Sequence, residues 1–286
     1  MTLTSADNRN ADQIAYWNGP AGQRWVRRQE EQDALLAPVA AVLLERTAAR
    51  AGEVVLDIGC GWGGIAVALA GRVAPGGRVL GVDVSELMLA RARELAPSGL
   101  PVEFVLGDAT VYPFEPGKAD LLVSRFGVMF FADPARAFAN MRKALRGGAR
   151  VAFACWREPR ENPWLMVPLQ EAYRHVPRLP ETGPEDPGAF SLAAESRVRD
   201  ILGRAGFTAV QLEPVGLTLD LGVGRGLDAA VATATGIGPT SRALEGQPPA
   251  LQAAVLQSVR AALERYQAGN RVSLPGAIWI VTATNP

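Results

Sequence analysis

The chain has 286 residues, 48 % apolar and 20 % charged, with a formal net charge of zero. That suits one large globular domain, or one domain with a cap, and offers no electrostatic footprint for a phosphate backbone, so nucleic acid is not an expected partner. No apolar run reaches membrane-spanning length, the opening MTLTSADNRNADQ lacks a basic and apolar leader, and two cysteines with one histidine make a poor zinc set. The expectation is a cytoplasmic protein with Cys60 and Cys155 as free thiols, no metal and no membrane contact.

In QIAYWNGPAGQRWVRRQ, Asn18, Gly19 and Pro20 predict a turn between two short helices. The next segment, DALLAPVAAVLLERTAA, is helical by spacing, and the periodicity runs through Pro38. From Glu53 onward, strand-like and helix-like segments alternate. EVVLDI, RVLGVDV, VEFVLGDA, ADLLVSRF and RVAFACW read as strands, with GIAVALAGRV, SELMLARAREL and PARAFANMRKAL as helices. Such alternation predicts a parallel sheet of βαβ units, and near-continuous apolar strands predict helices on both faces. SRVRDILGRAG then reads as a helix, FTAVQLEPV as a strand and AIWIVTAT as the last strand.

Two stretches interrupt this order. Residues 157–190 are proline-rich and carry His175, the chain's one histidine. Residues 222–270 begin glycine-rich and end in a helix whose Leu251, Val255, Val259 and Leu263 repeat every four residues. Both read as a cap over the carboxyl edge of the sheet, where open α/β folds bind ligands. The expected organisation is a helical lid or support over 1–50, a cofactor-binding core over 51–156, a cap insert over 157–190, core again over 191–221, a helical cap insert over 222–270 and a final core strand over 271–286.

The stretch VVLDIGCGWGG is a strand, a glycine-rich turn and a helix start. Such a unit turns backbone N–H groups and a helix N-terminus toward a ligand, and Gly59, Gly61 and Gly64 satisfy G-x-G-x-x-G. Asp83 ends the second strand, where a carboxylate suits an adenosine ribose. That much fits a nicotinamide site as well. Asp57, inside the first strand's end, and Gly107-Asp108-Ala109, closing the third, add two features, and the three aspartates fall along one sheet edge.

LDIGCGWGG, VLGVDVSELMLARAREL, VEFVLGDATVYPF and ADLLVSRFGVMFFADPARAFANMRKALRGGARVAFACW follow one another in the order of the motifs of class I S-adenosylmethionine-dependent methyltransferases. The chain resembles that family over about residues 53–156, and within it the ubiquinone/menaquinone-biosynthesis type and its small-molecule relatives. The resemblance implies an α/β, Rossmann-like, doubly wound seven-stranded sheet, mostly parallel with the last strand antiparallel, plus helical cap inserts. It implies S-adenosylmethionine as cofactor. Gly59, Cys60 and Gly61 would lie against its methionyl and ribose parts, and Asp57 would meet the ammonium. Asp83, with Val84 beside it, would accept the ribose hydroxyls. Met88 would pack on adenine, and Gly107, Asp108 and Ala109 would receive the adenine edge. Ser124, Arg125 and Phe126 would face the sulfonium, with Trp25 in the lid above.

The expected reaction is methyl transfer to an O or N atom, ahead of C, of a small, partly apolar or aromatic molecule, driven mainly by proximity and alignment. Trp17, Arg125, Met129, Trp156 and Trp164 are the expected acceptor contacts, with Arg125 suited to an acidic acceptor. His175 is the candidate base, in a protein that is a monomer or homodimer. The N-P-P-[YF] signature for amino groups of bases and amides is absent, Ser124-Arg125-Phe126-Gly127 standing in its place. Two other classes fit the same residues in part: a nicotinamide-dependent oxidoreductase, and an S-adenosylmethionine-binding protein without methyl transfer. Simpler readings stand beside the functional ones. Each aspartate taken alone suits a helix cap, Asp133-Pro134 reads as cap plus first helical proline rather than as a metal ligand, and the aromatic residues suit core packing.

Overall fold

The computed structural model describes residues 10–180, 183 and 185–286; the first nine residues of the expected lid, and positions 181, 182 and 184 of the first insert, lie outside them. The chain opens with α1 (Ala11–Asn18) and α2 (Pro20–Arg27), separated at Gly19 as the Asn-Gly-Pro turn requires. Where spacing predicts a single helix through Pro38, there are two, α3 (Gln29–Leu35) and α4 (Ala37–Arg46). Pro38 has no N–H to donate to the preceding turn, so it sits in the first turn of a new helix rather than inside an old one.

The core follows as β1 (Val54–Ile58), α5 (Gly64–Val73), β2 (Arg78–Asp83), α6 (Glu86–Leu95), β3 (Val102–Leu106), β4 (Ala119–Arg125), α7 (Pro134–Ala144) and β5 (Leu145–Trp156). Then come α8 (Pro163–Ala172), α9 (Glu195–Arg204), β6 (Thr208–Asp220), α10 (Gly226–Gly236), α11 (Gly238–Leu244), α12 (Pro249–Glu264), β7 (Gln267–Ala268) and β8 (Arg271–Thr284). The sheet order is β3-β2-β1-β4-β5-β8-β6, with the short β7 paired to β8. Strands β1 to β5 pair in parallel, while β8 runs antiparallel to both β5 and β6. The order reverses between β1 and β4. Right-handed crossovers therefore put α5 and α6 on one face and α7 on the other, opening a crevice at the carboxyl ends of these two strands.

Burial explains the near-continuous apolar strands: Val55, Leu121, Leu122, Val123 and Phe153 are fully enclosed. Asp133 caps α7 by accepting the Arg136 N–H, with Pro134 at the first helical position. In α12, Val255, Val259 and Leu263 are fully buried and Leu251 partly so. That helix packs on α8 and α10, and α11 packs on α8, so the helices of the two inserts lie against each other. Among the described residues, no helix is long and apolar enough to cross a membrane.

Candidate cofactor and acceptor site

The crevice opens into a cavity of about 1030 Å³, bounded by the carboxyl ends of the central strands, α1 and α2, and both inserts. Its floor is polar. Asp57, at the end of β1, is 1 % exposed, and its Oδ2 has no hydrogen-bond partner among the described residues. Burial lifts its carboxyl to about 7; the Arg125 charge and the Ala66 N–H pull it down and Asp83 pushes it up. A buried, unpaired carboxylate oxygen is costly, and an ammonium group from a ligand satisfies it.

Asp83, at the end of β2, spends one lone pair of each oxygen on the backbone. Gly61 N–H donates to Oδ2 at 2.8 Å and Ser85 N–H to Oδ1 at 2.9 Å. These bonds fasten the glycine loop to the turn after β2. Asp83 borders the cavity, and burial raises this carboxyl's pKa too, against the backbone N–H groups of Ser85, Gly61 and Val84. Both loop glycines hold positive φ, +64° at Gly59 as well as at Gly61, and they differ in what surrounds them. A Cβ on Gly59 would stand 2.6 Å from Gly127 Cα, so its bareness lets the loops after β1 and β4 cross. Gly61 has φ +55°, and a Cβ there would meet only Met88 Sδ at 3.7 Å. Cys60 between them packs against Gly81, and burial holds its thiol well above the usual range, as a neutral filler.

Two expected contacts are engaged elsewhere. Ser124 does not line the cavity: fully buried, it donates to Ile58 O at 2.7 Å and accepts from Val128 N, tying β4 to β1. Asp108 lines the cavity, but both its oxygens accept the Asn10 amide, at 3.0 and 2.9 Å, and Oδ1 also accepts the Thr110 N–H. A ligand amino group would share that carboxylate with Asn10. His175 is exposed in the turn after α8 and does not border the cavity, although Tyr173 and Leu179 on either side of it do. His175→Ala is therefore expected to leave turnover and cofactor affinity within about twofold of the parent, as usual for surface substitutions. Steady-state kinetics checks this; a pH-dependent loss of turnover would return it to the reaction.

The remaining expected residues do meet there. Trp17, Trp25, Val84, Met88, Gly107, Ala109, Arg125, Phe126, Met129, Trp156 and Trp164 all border the cavity. Trp17 sits edge-on to Trp25 and Phe130, and Trp25 stacks on Trp62, forming one aromatic wall. Phe126 stacks on Trp156 at 4.4 Å and Trp156 leans on Trp164 at 5.0 Å, forming another. Phe126 holds φ +72°, which a bulky side chain rarely adopts, so the stack secures a strained bend at the end of β4.

Sequence reasoning missed the residues that dock the amino-terminal helices. Asn18 donates to Val84 O and accepts from Glu86 N, and Ser85 Oγ donates to Trp17 O. Asn18 was visible as a turn residue, but nothing in the sequence shows what its amide holds. Asp33, on α3, accepts from Trp62 Nε1 at 2.8 Å and lies 3.5 Å from Arg125.

Residues 55–148 match the Methyltransf_25 family, a methyltransferase domain. Among curated proteins, the chain is 33 % identical over 184 residues to nocamycin O-methyltransferase of Saccharothrix syringae, covering 61 % of this chain and 66 % of that one. It is 29 % identical over 156 residues to the ubiquinone/menaquinone biosynthesis C-methyltransferase UbiE of Marinomonas sp., covering 54 % and 62 %. Among solved structures it is similar to phosphoethanolamine N-methyltransferase 2 of Haemonchus contortus, which holds phosphomonomethylethanolamine and S-adenosylhomocysteine. That TM-score is 0.58 at 19 % identity, over 99 % of this chain and 61 % of that one. In fold the chain is similar to that solved methyltransferase, and in sequence its resemblance to methyltransferases covers residues 55–148, which match the family model. Residues 55–148 are its methyltransferase domain. The chain spans 32 % to 66 % of the length of three of the curated relatives it matches.

Proposed function

We propose that this protein binds S-adenosylmethionine at the carboxyl edge of β1, β2 and β4 and transfers its methyl group to a small, partly apolar or aromatic acceptor. The observation that carries this reading is Asp57, whose buried Oδ2 lacks a partner beside a cavity that also exposes Asp83. A nicotinamide dinucleotide has ribose hydroxyls for Asp83 but no ammonium for Asp57, which favours the methyl donor. The chain's groups match it part by part: Asp57 for the ammonium, Asp83 for the ribose hydroxyls, Gly61 for close approach and Met88 against adenine.

When bound, the sulfonium supplies an electrophilic methyl carbon, so the chain's work is to bind, align and dry the reactants. Asp57 and Asp83 fix the donor end. The aromatic walls and the cap exclude water and favour an acceptor with an apolar body, at roughly 25 cal/mol per Å² buried. Among the described residues, no histidine lines the cavity. That favours an acceptor whose O or N atom attacks without a dedicated imidazole base. A cytoplasmic location fits the two free thiols.

The test is transfer of labelled methyl from S-adenosylmethionine into a panel of phenols, enols and amines, read as S-adenosylhomocysteine formed in step with methylated product. Cofactor binding with no product across the panel and across cell extracts favours the binding-only reading. Retention of a nicotinamide cofactor by the purified protein favours the oxidoreductase.

Asp57 also gives a pH dependence. Its folded pKa of about 7 stands above that of an exposed aspartate, so between about pH 4 and 7 the folded protein takes up a proton that the unfolded chain does not hold. The stability this contributes is present in acid and is lost as pH rises through 7. A ligand ammonium needs the carboxylate form, so binding below that pH expels the proton. Cofactor affinity is expected to fall with acidification, approaching about tenfold per pH unit, with a shallower slope in Asp57→Asn. Calorimetry in buffers of different ionisation heat measures the released proton; parallel profiles in parent and variant would refute the assignment.

A further inference from the structure

We infer that the acceptor carries an anionic group, a carboxylate or phosphate, received where the amino-terminal helices meet the second insert, by the guanidinium of Arg242 and the hydroxyl of Tyr16. This deepens the acceptor half of the methyl-transfer reading and rests on it. Tyr16 lies on α1 and Arg242 in the last turn of α11, and both border the cavity. The Arg242 Cζ stands 5.9 Å from the centre of the Tyr16 ring. That contact leaves the five N–H donors of the guanidinium unspent. Among the described residues, the Arg242 side chain has no hydrogen bond or ion pair, and the Tyr16 hydroxyl has no hydrogen bond.

The other two arginines that border the cavity are engaged with acids. Arg197 pairs with Glu185 at 3.1 Å and donates to Ser191 O, while Arg125 stands 3.5 Å from Asp33 and its charge reaches Asp57. Arg242 has no such partner, since Glu245, just past α11, is paired with Arg24 at 3.6 Å. Burial pushes the Tyr16 phenol's pKa up, while Arg242 and Arg24 pull it down and Glu245 adds to the rise. The phenol therefore stays protonated near neutrality and is a donor, under the charge of two cations and one carboxylate. Asp12, one turn earlier on α1, is not among the charges that act on it. The cavity's remaining carboxylates belong to the strand ends and the first insert. S-adenosylmethionine brings a net positive charge to the floor, which offsets the aspartates there and favours an anion as second ligand. A planar fork of donors facing a phenolic O–H suits an oxyanion with two or more oxygens. An anion held by both residues joins α1 to α11, and so ties the amino-terminal helices to the second insert.

The experiment is calorimetric titration of the parent, Arg242→Gln and Tyr16→Phe, first with S-adenosylmethionine and then, once saturated, with 2-naphthoate and 2-naphthamide, two ligands of one shape that differ in charge. The parent is expected to hold the naphthoate roughly 10-fold or more tighter than the amide, one charge-assisted contact. Arg242→Gln should erase that preference by weakening the naphthoate alone. Tyr16→Phe keeps the ring beside Arg242 and loses only the hydroxyl, so it should cut the preference by about 3–10-fold. S-adenosylmethionine affinity within about twofold of the parent certifies that each variant is folded. A parent that binds both naphthyl ligands alike, a parent that binds neither, or a preference that survives Arg242→Gln overturns the inference and leaves the methyl-donor reading standing. A parent that binds no S-adenosylmethionine overturns that reading, and the inference with it.

Discussion

Gly61→Val is expected to leave no measurable S-adenosylmethionine binding. Gly61 sits at φ +55°, a region that β-branched residues avoid, and forcing valine into it costs about 1–3 kcal/mol. A backbone that relaxes would pull Gly61 N–H off Asp83 Oδ2, a 2.8 Å bond that closes the loop. A backbone that holds would aim two methyl groups past Met88 into the cavity. Either way the loop and the ligand compete for one place. Gly61→Ala separates the two effects: it keeps the conformational penalty but adds a single carbon, with nothing nearer than Met88 Sδ at 3.7 Å. It should bind weakly where valine does not bind at all. Calorimetry on variants whose circular dichroism matches the parent gives the answer, and native affinity in Gly61→Val would mean that this loop is not the cofactor's cradle.

Asp83→Ala should weaken the cofactor by at least 10–100-fold, the loss of one to two charge-assisted hydrogen bonds. The structure adds a second expectation. Alanine also releases the N–H groups of Gly61 and Ser85, so the glycine loop and the turn after β2 should both loosen. Ser85 is the N-cap of α6 and holds Trp17 O, so loosening extends to the amino-terminal helices. Asp83→Asn keeps one acceptor oxygen and should fall between. Hydrogen exchange at Gly61 and Ser85 rising together with the affinity loss supports the dual role. Unchanged affinity in folded Asp83→Ala would remove the ribose assignment.

The sheet was legible because its strands are short, apolar and separated by helices of ordinary length, and because the Gly59–Gly64 turn and Asp83 mark strand ends. The amphipathic stripe of α12 was legible for the same reason, as a period. Pro38 misled because a hydrophobic period can continue in phase across a break that the backbone must make. Candidate site residues at strand ends and in the glycine turn, Asp57, Gly61 and Asp83, could be located on the fold by motif. Those whose side chains answer to distant parts of the chain could not. Asp108 meets Asn10 across 98 residues, and Arg125 meets Asp33 from another element. Nor does a sequence show that Ser124 turns back to Ile58 O, or that the chain after α8 carries His175 to the exterior. The need for glycine at 59 is partly tertiary: besides its φ of +64°, Gly127, brought in by β4, leaves no room for a Cβ.

Asp57, through its unpaired Oδ2, and Asp83 together are proposed to receive S-adenosylmethionine. The most direct measurement is titration of the purified protein with S-adenosylmethionine and, separately, with NADH, repeated on Asp57→Asn. The expected result is one S-adenosylmethionine bound per chain, no NADH, and a roughly 10–100-fold loss in the variant. NADH binding in place of S-adenosylmethionine, or equal S-adenosylmethionine affinity in parent and variant, would contradict it.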